Sequence, residues 1–251
     1  MTLQPDEPMP ERLGSNDLLG GCIRSEMIHY HGTPLTPRAQ LLKMGGRCFC
    51  VSFAEPRDLE TCMRIGQSVM LDNGAFSVHT RGLQFDPAGF YAWIEPHLGH
   101  PHWGVVPDVI DGTVEQQRAM VATWPYRKSL GLPVWHLGLP IDYLLELCDQ
   151  WDRVCFGSTA QFWQIGTPAW CKRMDEAFNA LVRTFGRVPW VHGLRMLGQA
   201  AGPWPLASAD SVNVARNFKD YGQCADCVAR RIDSTNPPTL WTERPIQEAL
   251  C

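Results

Sequence analysis

The feature that most constrains this fold is a regular alternation of short apolar runs with longer amphipathic segments. Strands that alternate with helices imply a parallel sheet with right-handed crossovers. The first two connections, 36–45 and 55–66, place Pro near the start and Gly at the end of a helical pattern. Eight units between residues 27 and 235 predict a single, compact (βα)8 TIM-like barrel of the α/β class. The predicted strands are 27–31, 48–53, 68–72, 104–109, 133–138, 153–158, 188–193 and 208–213.

The regions outside this barrel are expected to be short. Residues 1–26 are predicted to form a polar N-terminal extension, residues 27–235 the barrel, and residues 236–251 a C-terminal tail. The N-terminus lacks the apolar stretch of a secretory signal, and no run approaches the roughly 20 apolar residues of a membrane span. With 45% hydrophobic and 19% charged residues among 251, we expect one cytoplasmic domain with a large core.

The charge balance limits the partners. A net charge of −4 gives no general affinity for polyanions, so a nucleic-acid partner would need a local basic patch. Arg216, Arg230 and Arg231 are the candidate patch, and ordinary surface charges at helical spacing are the alternative. The sequence is compatible with a homodimer.

The ten cysteines are expected to be reduced thiols, as is usual for a cytosolic protein. Cys224 and Cys227 alone have ligand-like spacing, in "CADC". A single CxxC without a second pair is weak support for zinc. The sequence therefore assigns no metal and no cofactor, and leaves open whether these two sulfurs bind zinc.

Polar residues follow most of the predicted strands, at the barrel end where chemistry takes place in such folds. Asp72 stands out, because the apolar strand leads directly into "DNG". Taken alone, Asp72 would be explained by an Asx-turn. Several polar side chains that converge at one mouth favour an active site instead. The ring consists of His29, His31, Asp72, Asp108, His136, Ser158, Thr159, His192 and Asp210.

Two carboxylates on different strands can divide covalent and proton-transfer work. One attacks an electrophilic carbon, and the other handles protons or holds the leaving group. Asp210 follows small residues that leave its carboxylate reachable, and Asp108 follows a proline and can accept hydrogen bonds from substrate N–H groups. Asp111 is a more ordinary turn or helix-cap residue.

Five stretches resemble, in order, motifs of the tRNA-guanine (queuine) transglycosylase superfamily. "LDNGAFS" resembles its Asp-Ser-Gly-Gly-Phe-Gln motif, and "ADSVNVARN" resembles its Asp-Cys-Val stretch with a downstream Arg-Asn. "VVPDVIDGTVEQQ" resembles the strand whose acid recognises the base, "FGSTAQFW" the Gly-Gly-Leu loop, and "VHGLRMLG" the strand after it. Order and approximate spacing agree over about residues 27–218.

The resemblance implies a role for each matching residue. Asp210 would be the nucleophile that takes C1′ of a nucleotide, Asp72 the general acid/base at the glycosidic bond, and Asp108 the reader of a flipped base. The partners would be a nucleic acid, DNA or tRNA, and a 7-deazaguanine base. The other residues expected to contact substrate are Gly74, Phe76, His136, Gly157, Ser158, Thr159 and His192.

Two departures from the family pattern shape the prediction. The tRNA enzymes carry a Cys-x-Cys-x-x-Cys…His zinc module, whereas this chain has only Cys224 and Cys227 there. The Gly-Gly-Leu loop reads Gly157-Ser158-Thr159. These losses, with the short chain, favour the compact relatives in phages and modification islands that place 7-deazaguanines into DNA.

Two other readings compete. His29, His31 and His136, with Asp210, fit the amidohydrolase pattern, in which His and Asp hold divalent metals that activate water. The second alternative is an inactive barrel that only binds nucleic acid.

Overall fold

The computed structural model describes residues 26–220 and 222–245. In that part of the chain the strands form a nearly closed barrel of nine parallel strands, in the order β5-β4-β3-β2-β1-β9-β8-β7-β6. The prediction of a TIM-like α/β barrel is therefore confirmed at the level of architecture. The strands are β1 (Ile28–Gly32), β2 (Cys48–Ser52), β3 (Ser68–Asp72), β4 (Trp103–Val105), β5 (Gly131–Leu132), β6 (Val134–His136), β7 (Arg153–Gly157), β8 (Trp190–Gly193) and β9 (Ser208–Ser211).

The two ends of the sheet are consecutive in the chain. β5 pairs with β4, β6 pairs with β7, and only Pro133 separates β5 from β6. The Leu132 carbonyl accepts from Val106 N–H, whereas the Pro133 carbonyl accepts from Cys155 N–H. Because proline has no N–H, it suits a position where the chain passes from one sheet edge to the other. The sequence predicted one strand at 133–138, and β5 was not foreseen.

Helices cover the outside of the barrel. The connections 36–45 and 55–66, predicted to be helical, both contain a helix, and the connection between β8 and β9 contains only a short 3₁₀ turn, Leu197–Gln199. Three short helices were not foreseen, at Ala75–Thr80, Asn213–Asn217 and Ala225–Asp233. The α-helices of the described residues are α1 (Arg38–Leu42), α2 (Leu59–Ile65), α3 (Ala75–Thr80), α4 (Pro87–Ile94), α5 (Val114–Val121), α6 (Ile141–Gln150), α7 (Pro168–Phe185), α8 (Asn213–Asn217) and α9 (Ala225–Asp233).

Alternation along each strand divides the apolar residues into two clusters. Tyr30, Met70 and Cys155 belong to the smaller cluster, inside the barrel. Residues next to them in the chain, such as Leu71 and Val154, belong to the larger cluster between strands and helices. Because the interior is packed with side chains, the barrel is a rigid scaffold for the residues at the carboxyl ends of its strands.

The C-terminal segment packs on the barrel through α7. The buried Asn179 side chain donates from Nδ2 to Arg244 O (2.8 Å), and its Oδ1 accepts from Trp241 Nε1 (2.9 Å) and Arg244 N (3.0 Å). Asn236 at the start of the predicted tail accepts from Met27 N–H (2.8 Å). The predicted N-terminal extension lies outside the described residues except for Glu26. No helix among residues 26–220 and 222–245 has the length and apolar character to cross a membrane.

Asn179→Ala is expected to lower the free energy of unfolding by about 2 kcal/mol, because buried partners lose their hydrogen bonds. It should also speed amide exchange at residues 241–244. Lys172→Ala, at an exposed position of the same helix, is the control and should leave both the stability and the exchange nearly unchanged. Denaturant unfolding and hydrogen exchange measure both effects. Unchanged exchange at 241–244 in Asn179→Ala would show that the amide does not hold this segment.

Candidate active site

A cavity of about 740 Å³ opens at the carboxyl ends of the strands. The last residues of several strands line it, as expected for the mouth of a parallel barrel. Three aspartates predicted from the sequence, Asp72, Asp108 and Asp210, meet there. The other lining residues with polar or charged side chains include Ser52, Glu55, Asn73, Arg81, His136, Thr159, Arg195 and Arg216.

Asp72 ends β3, and the Asx-turn considered for it does form. Its Oδ2 accepts from Gly74 N–H (3.1 Å), and Asn73 Oδ1 accepts from Ala75 N–H (2.8 Å) to start α3. Gly74 has φ 76°, and a Cβ there would lie 2.9 Å from Ala54 N, so only glycine fits this turn. The turn holds the carboxylate at the cavity, and so the two readings of Asp72 are compatible.

The electrostatics of the mouth set Asp72 apart. Burial raises its pKa to about 6, and the nearby charges of Asp210 and Asp108 add to the rise, against hydrogen bonds from Ser52 and the Gly74 N–H. A carboxyl with this pKa exchanges a proton near neutral pH. Carboxyl groups that act as general acids or bases have such values.

Asp108 is held from two sides. Its Oδ1 accepts from Asn73 Nδ2 (2.8 Å), and its Oδ2 lies 2.8 Å from His136 Nε2. Both Asp108 and His136 are buried, and both line the cavity. Gln117 brackets the backbone of Val109, which fixes the loop after β4. Asp108 therefore lies between an amide donor and an imidazole, and the buried Nδ1 of His136 has no hydrogen-bond partner among the described residues.

Asp210 is held at one oxygen. Oδ1 accepts from the backbone N–H of Arg195 (2.7 Å) and lies 3.3 Å from His192 Nε2. His192 in turn lies 2.6 Å from Ser208 Oγ through Nδ1. Both of these contacts converge on Oδ1.

Sequence reasoning missed Arg195. This residue follows β8 with φ 59°, a left-handed conformation that non-glycine residues adopt rarely. Its guanidinium lies 3.7 Å from the centre of the Phe76 ring, and its Nη2 donates to Ser158 O (3.3 Å). Burial lowers the pKa of Arg195, and Asp210, Asp72 and Asp108 oppose this effect. The available signal was an arginine at a strand end, in "VHGLRMLG".

Three residues predicted to contact substrate do not line the cavity. Ser158 accepts from Trp170 Nε1 (2.9 Å) through its hydroxyl, so it anchors α7. Gly74 serves the turn described above. His192 is completely buried beneath Asp210, so it supports that residue instead of contacting a ligand. Phe76, His136, Gly157 and Thr159 do line the cavity.

His29 and His31 do not belong to the polar ring. Tyr30 faces the barrel interior, so its two neighbours on β1 face outward. His29 Nε2 lies 2.7 Å from Thr235 O, and His31 Nε2 lies 2.9 Å from Asp233 on α9. The prediction that they lie at the mouth is wrong, and the amidohydrolase pattern loses its first two ligands.

The three arginines of the predicted basic patch do not lie together. Arg216 lines the cavity, whereas Arg230 and Arg231 lie on α9 and are not among its lining residues. Arg230 pairs with Asp226 one helical turn before it (2.8 Å). Arg81, on the other side of the mouth, was not foreseen and lines the cavity with Arg216.

Cys224 and Cys227 form a disulfide at the start of α9, so the expectation of reduced thiols is wrong for this pair. The other described cysteines are free, and burial raises the pKa of each thiol, for example to about 12 in Cys62 and Cys148. Across residues 26–220 and 222–245, no group of three or more His, Cys, Asp and Glu is placed to hold a metal ion.

Comparisons of this chain with models of known protein families, with curated proteins and with solved structures gave no match. The geometry of the mouth therefore carries the functional interpretation.

The raised pKa of Asp72 predicts a pH-dependent stability. The folded chain keeps this proton up to about pH 6, whereas an unfolded chain loses it near its ordinary pKa of 3.8. The free energy of unfolding should therefore fall as pH rises through this window. Asp72→Asn removes the effect, so its stability relative to wild type should rise by about 2 kcal/mol between about pH 4 and pH 7.5.

Denaturant unfolding of both proteins across this range is the measurement. Asp149→Asn, on the exposed face of α6, is the control and should follow the wild-type curve. Parallel curves for Asp72→Asn and wild type would mean that Asp72 ionises normally in the folded chain.

Proposed function

We propose that this protein is a transglycosylase that exchanges guanine in a nucleic acid for a 7-deazaguanine derivative. The observation that carries the proposal is the convergence of three aspartates in different environments at one cavity. The order of motifs from residue 27 to residue 218 supports the same reaction. In this proposal β5 and β6 count as one strand interrupted at Pro133, which gives the (βα)8 barrel of that superfamily.

The reaction divides into two displacements at C1′. In the first, Asp210 Oδ2 attacks C1′ as the bond from C1′ to guanine N9 breaks, and the electron pair leaves with the base. Asp72, protonated below its pKa of about 6, gives its proton to the departing guanine. In the second, the incoming base loses a proton to Asp72 and attacks C1′, and the Asp210 carboxylate leaves. No net charge or proton is lost over the cycle.

The other cavity residues would hold the base. His136, supported by Asp108, presents an imidazole to the polar edge of a planar ring. Phe76 is 42% exposed and has Arg195 on one face, which leaves ring surface for stacking. Gly157 leaves room beside the imidazole, since a Cβ there would lie 3.1 Å from His136 Nδ1.

The rim of the mouth supports a nucleic-acid substrate. Trp163, in the loop after β7, is 70% exposed, and Leu83 after α3 is 61% exposed. Arg81 and Arg216 supply positive charge at the cavity, despite the net charge of −4. Exposed aromatic side chains stack with bases, and cationic side chains bind phosphates, in proteins that hold nucleic acids. DNA is favoured over tRNA in this proposal because the chain departs from the tRNA enzymes at its zinc module and Gly-Gly-Leu loop.

Exchange of radiolabelled guanine into nucleic acid tests the proposal without knowledge of the inserted base. Single-stranded DNA, duplex DNA and tRNA are supplied separately, and incorporated label and covalent adducts on denaturing gels are measured. Wild type should incorporate label into at least one of them, with DNA preferred. Asp210→Asn should abolish both label and adduct, and Asp72→Asn should slow exchange by about 100-fold or more.

Asp111→Asn is the matched control for this experiment. Asp111 lies near the mouth in a left-handed conformation (φ 57°) that Asn adopts readily. The Asp111→Asn variant should therefore exchange guanine like wild type. Full exchange by Asp210→Asn would remove Asp210 as the nucleophile. Tight binding with no exchange on any of the three nucleic acids would favour the inactive barrel instead.

A further inference from the structure

Beneath the mouth lies a second layer of polar side chains that the reaction above does not use. His192 on β8 and Ser208 on β9 are register partners, and neither has any exposed surface. Ser208 lies two residues before Asp210 on the same strand, so both face the barrel interior. Buried polar pairs are costly unless they are satisfied, so their placement under the proposed nucleophile calls for an explanation.

Hydrogen-bonding capacity fixes the direction of this chain of contacts. An ionised Asp210 carboxylate only accepts, so the Nε2 of His192, 3.3 Å from Oδ1, must carry a proton. A neutral imidazole has one N–H, and Nδ1 is then an acceptor. Ser208 Oγ, 2.6 Å from Nδ1, must therefore donate its hydroxyl proton. The aspartate thus selects the histidine tautomer, and the serine hydroxyl satisfies the ring nitrogen that this tautomer leaves as an acceptor.

We infer that Ser208 and His192 are positioning residues that determine which oxygen of Asp210 reacts. The inference rests on the proposed function, since it assigns a task within that reaction. The His192 imidazole and the Arg195 N–H both hold Oδ1, and so Oδ2 faces the sugar. When Oδ2 bonds to C1′, Oδ1 becomes the ester carbonyl oxygen and keeps both donors.

The same contacts serve the second displacement. As the incoming base attacks C1′, the ester bond to Oδ2 breaks and negative charge returns to the carboxylate. Two donors at Oδ1 stabilise this leaving group, and no proton is transferred from either. In this arrangement the donors are a backbone N–H and the N–H of a neutral imidazole tautomer, which orient the carboxylate without pairing it directly with a cation.

The conformation of Arg195 agrees with this role. Among the described residues, Asp111, Ala160 and Arg195 are the non-glycine residues with a left-handed backbone, and of these Arg195 donates its N–H to Asp210. Such backbone strain in a non-glycine residue is commonly found at functional sites.

Nitrogen NMR of the full-length protein without substrate tests the tautomer directly. Protein with ¹⁵N-labelled histidine should show His192 with a protonated Nε2 and an unprotonated Nδ1, and His192→Gln assigns the signal by its loss. Ser208→Ala should shift the Nδ1 resonance, and Asp210→Asn should shift that of Nε2. A protonated Nδ1 in wild type, or no response to Asp210→Asn, would overturn the inference whether or not exchange activity is found.

Kinetics separate positioning from simple structural support. Ser208→Ala should slow adduct formation by about 10-fold, the size of one neutral hydrogen bond. His192→Leu should slow it more, and His192→Gln, which can place an N–H near Oδ1, should recover most of the rate. The oligonucleotide Kd should change by less than about 2-fold in each variant.

Equal losses in His192→Leu and His192→Gln, or losses in Kd that match those in rate, would indicate structural support alone and contradict positioning. If wild type exchanges no guanine, the proposed function fails, and the NMR experiment alone decides how Asp210 is held.

Discussion

The arrangement of this site follows from the cost of gathering three carboxylates at one barrel mouth. Each needs donors, because burial and mutual repulsion both oppose its charge. Asp210 receives His192 and a backbone N–H, and Asp108 receives Asn73 and lies against His136. Asp72 accepts hydrogen bonds from a serine and a turn N–H, but burial still raises its pKa to about 6. Unequal support thus gives three identical side chains different chemistry.

The closure of the barrel determines where this support comes from. Pro133 joins the two sheet edges, so His136 on β6 lies beside the loop that follows β4 and carries Asp108. β8 and β9 are adjacent, which places His192 under Asp210. Each of these two aspartates therefore pairs with a histidine that a parallel sheet brings close from elsewhere in the chain. Neither pair is adjacent in sequence, and the Asp108–His136 pair also requires the barrel to close.

The sequence predicted the strands well because apolar runs report burial directly. β3 has the predicted bounds, Ser68–Asp72. The three aspartates lie, as predicted, at the end of the barrel where the strands terminate. The direction in which a side chain faces was harder to predict than the position of its strand. In "HYH" the two histidines lie on one face of the strand and Tyr30 on the other, and each face carries a polar group. Only tertiary packing shows that Tyr30 faces inward. Ser158 was misassigned for the same reason, since its partner Trp170 lies 12 residues away on α7. Arg195 was missed because its backbone, not its side chain, holds Asp210.

Arg195 also connects the two halves of the proposed reaction. Its N–H holds Asp210 at 2.7 Å, and its guanidinium lies under Phe76, where a base would stack. The left-handed backbone directs these two groups to different partners from one residue. In the proposed reaction, the residue whose N–H orients the nucleophile would therefore also contact the ring on which a base stacks.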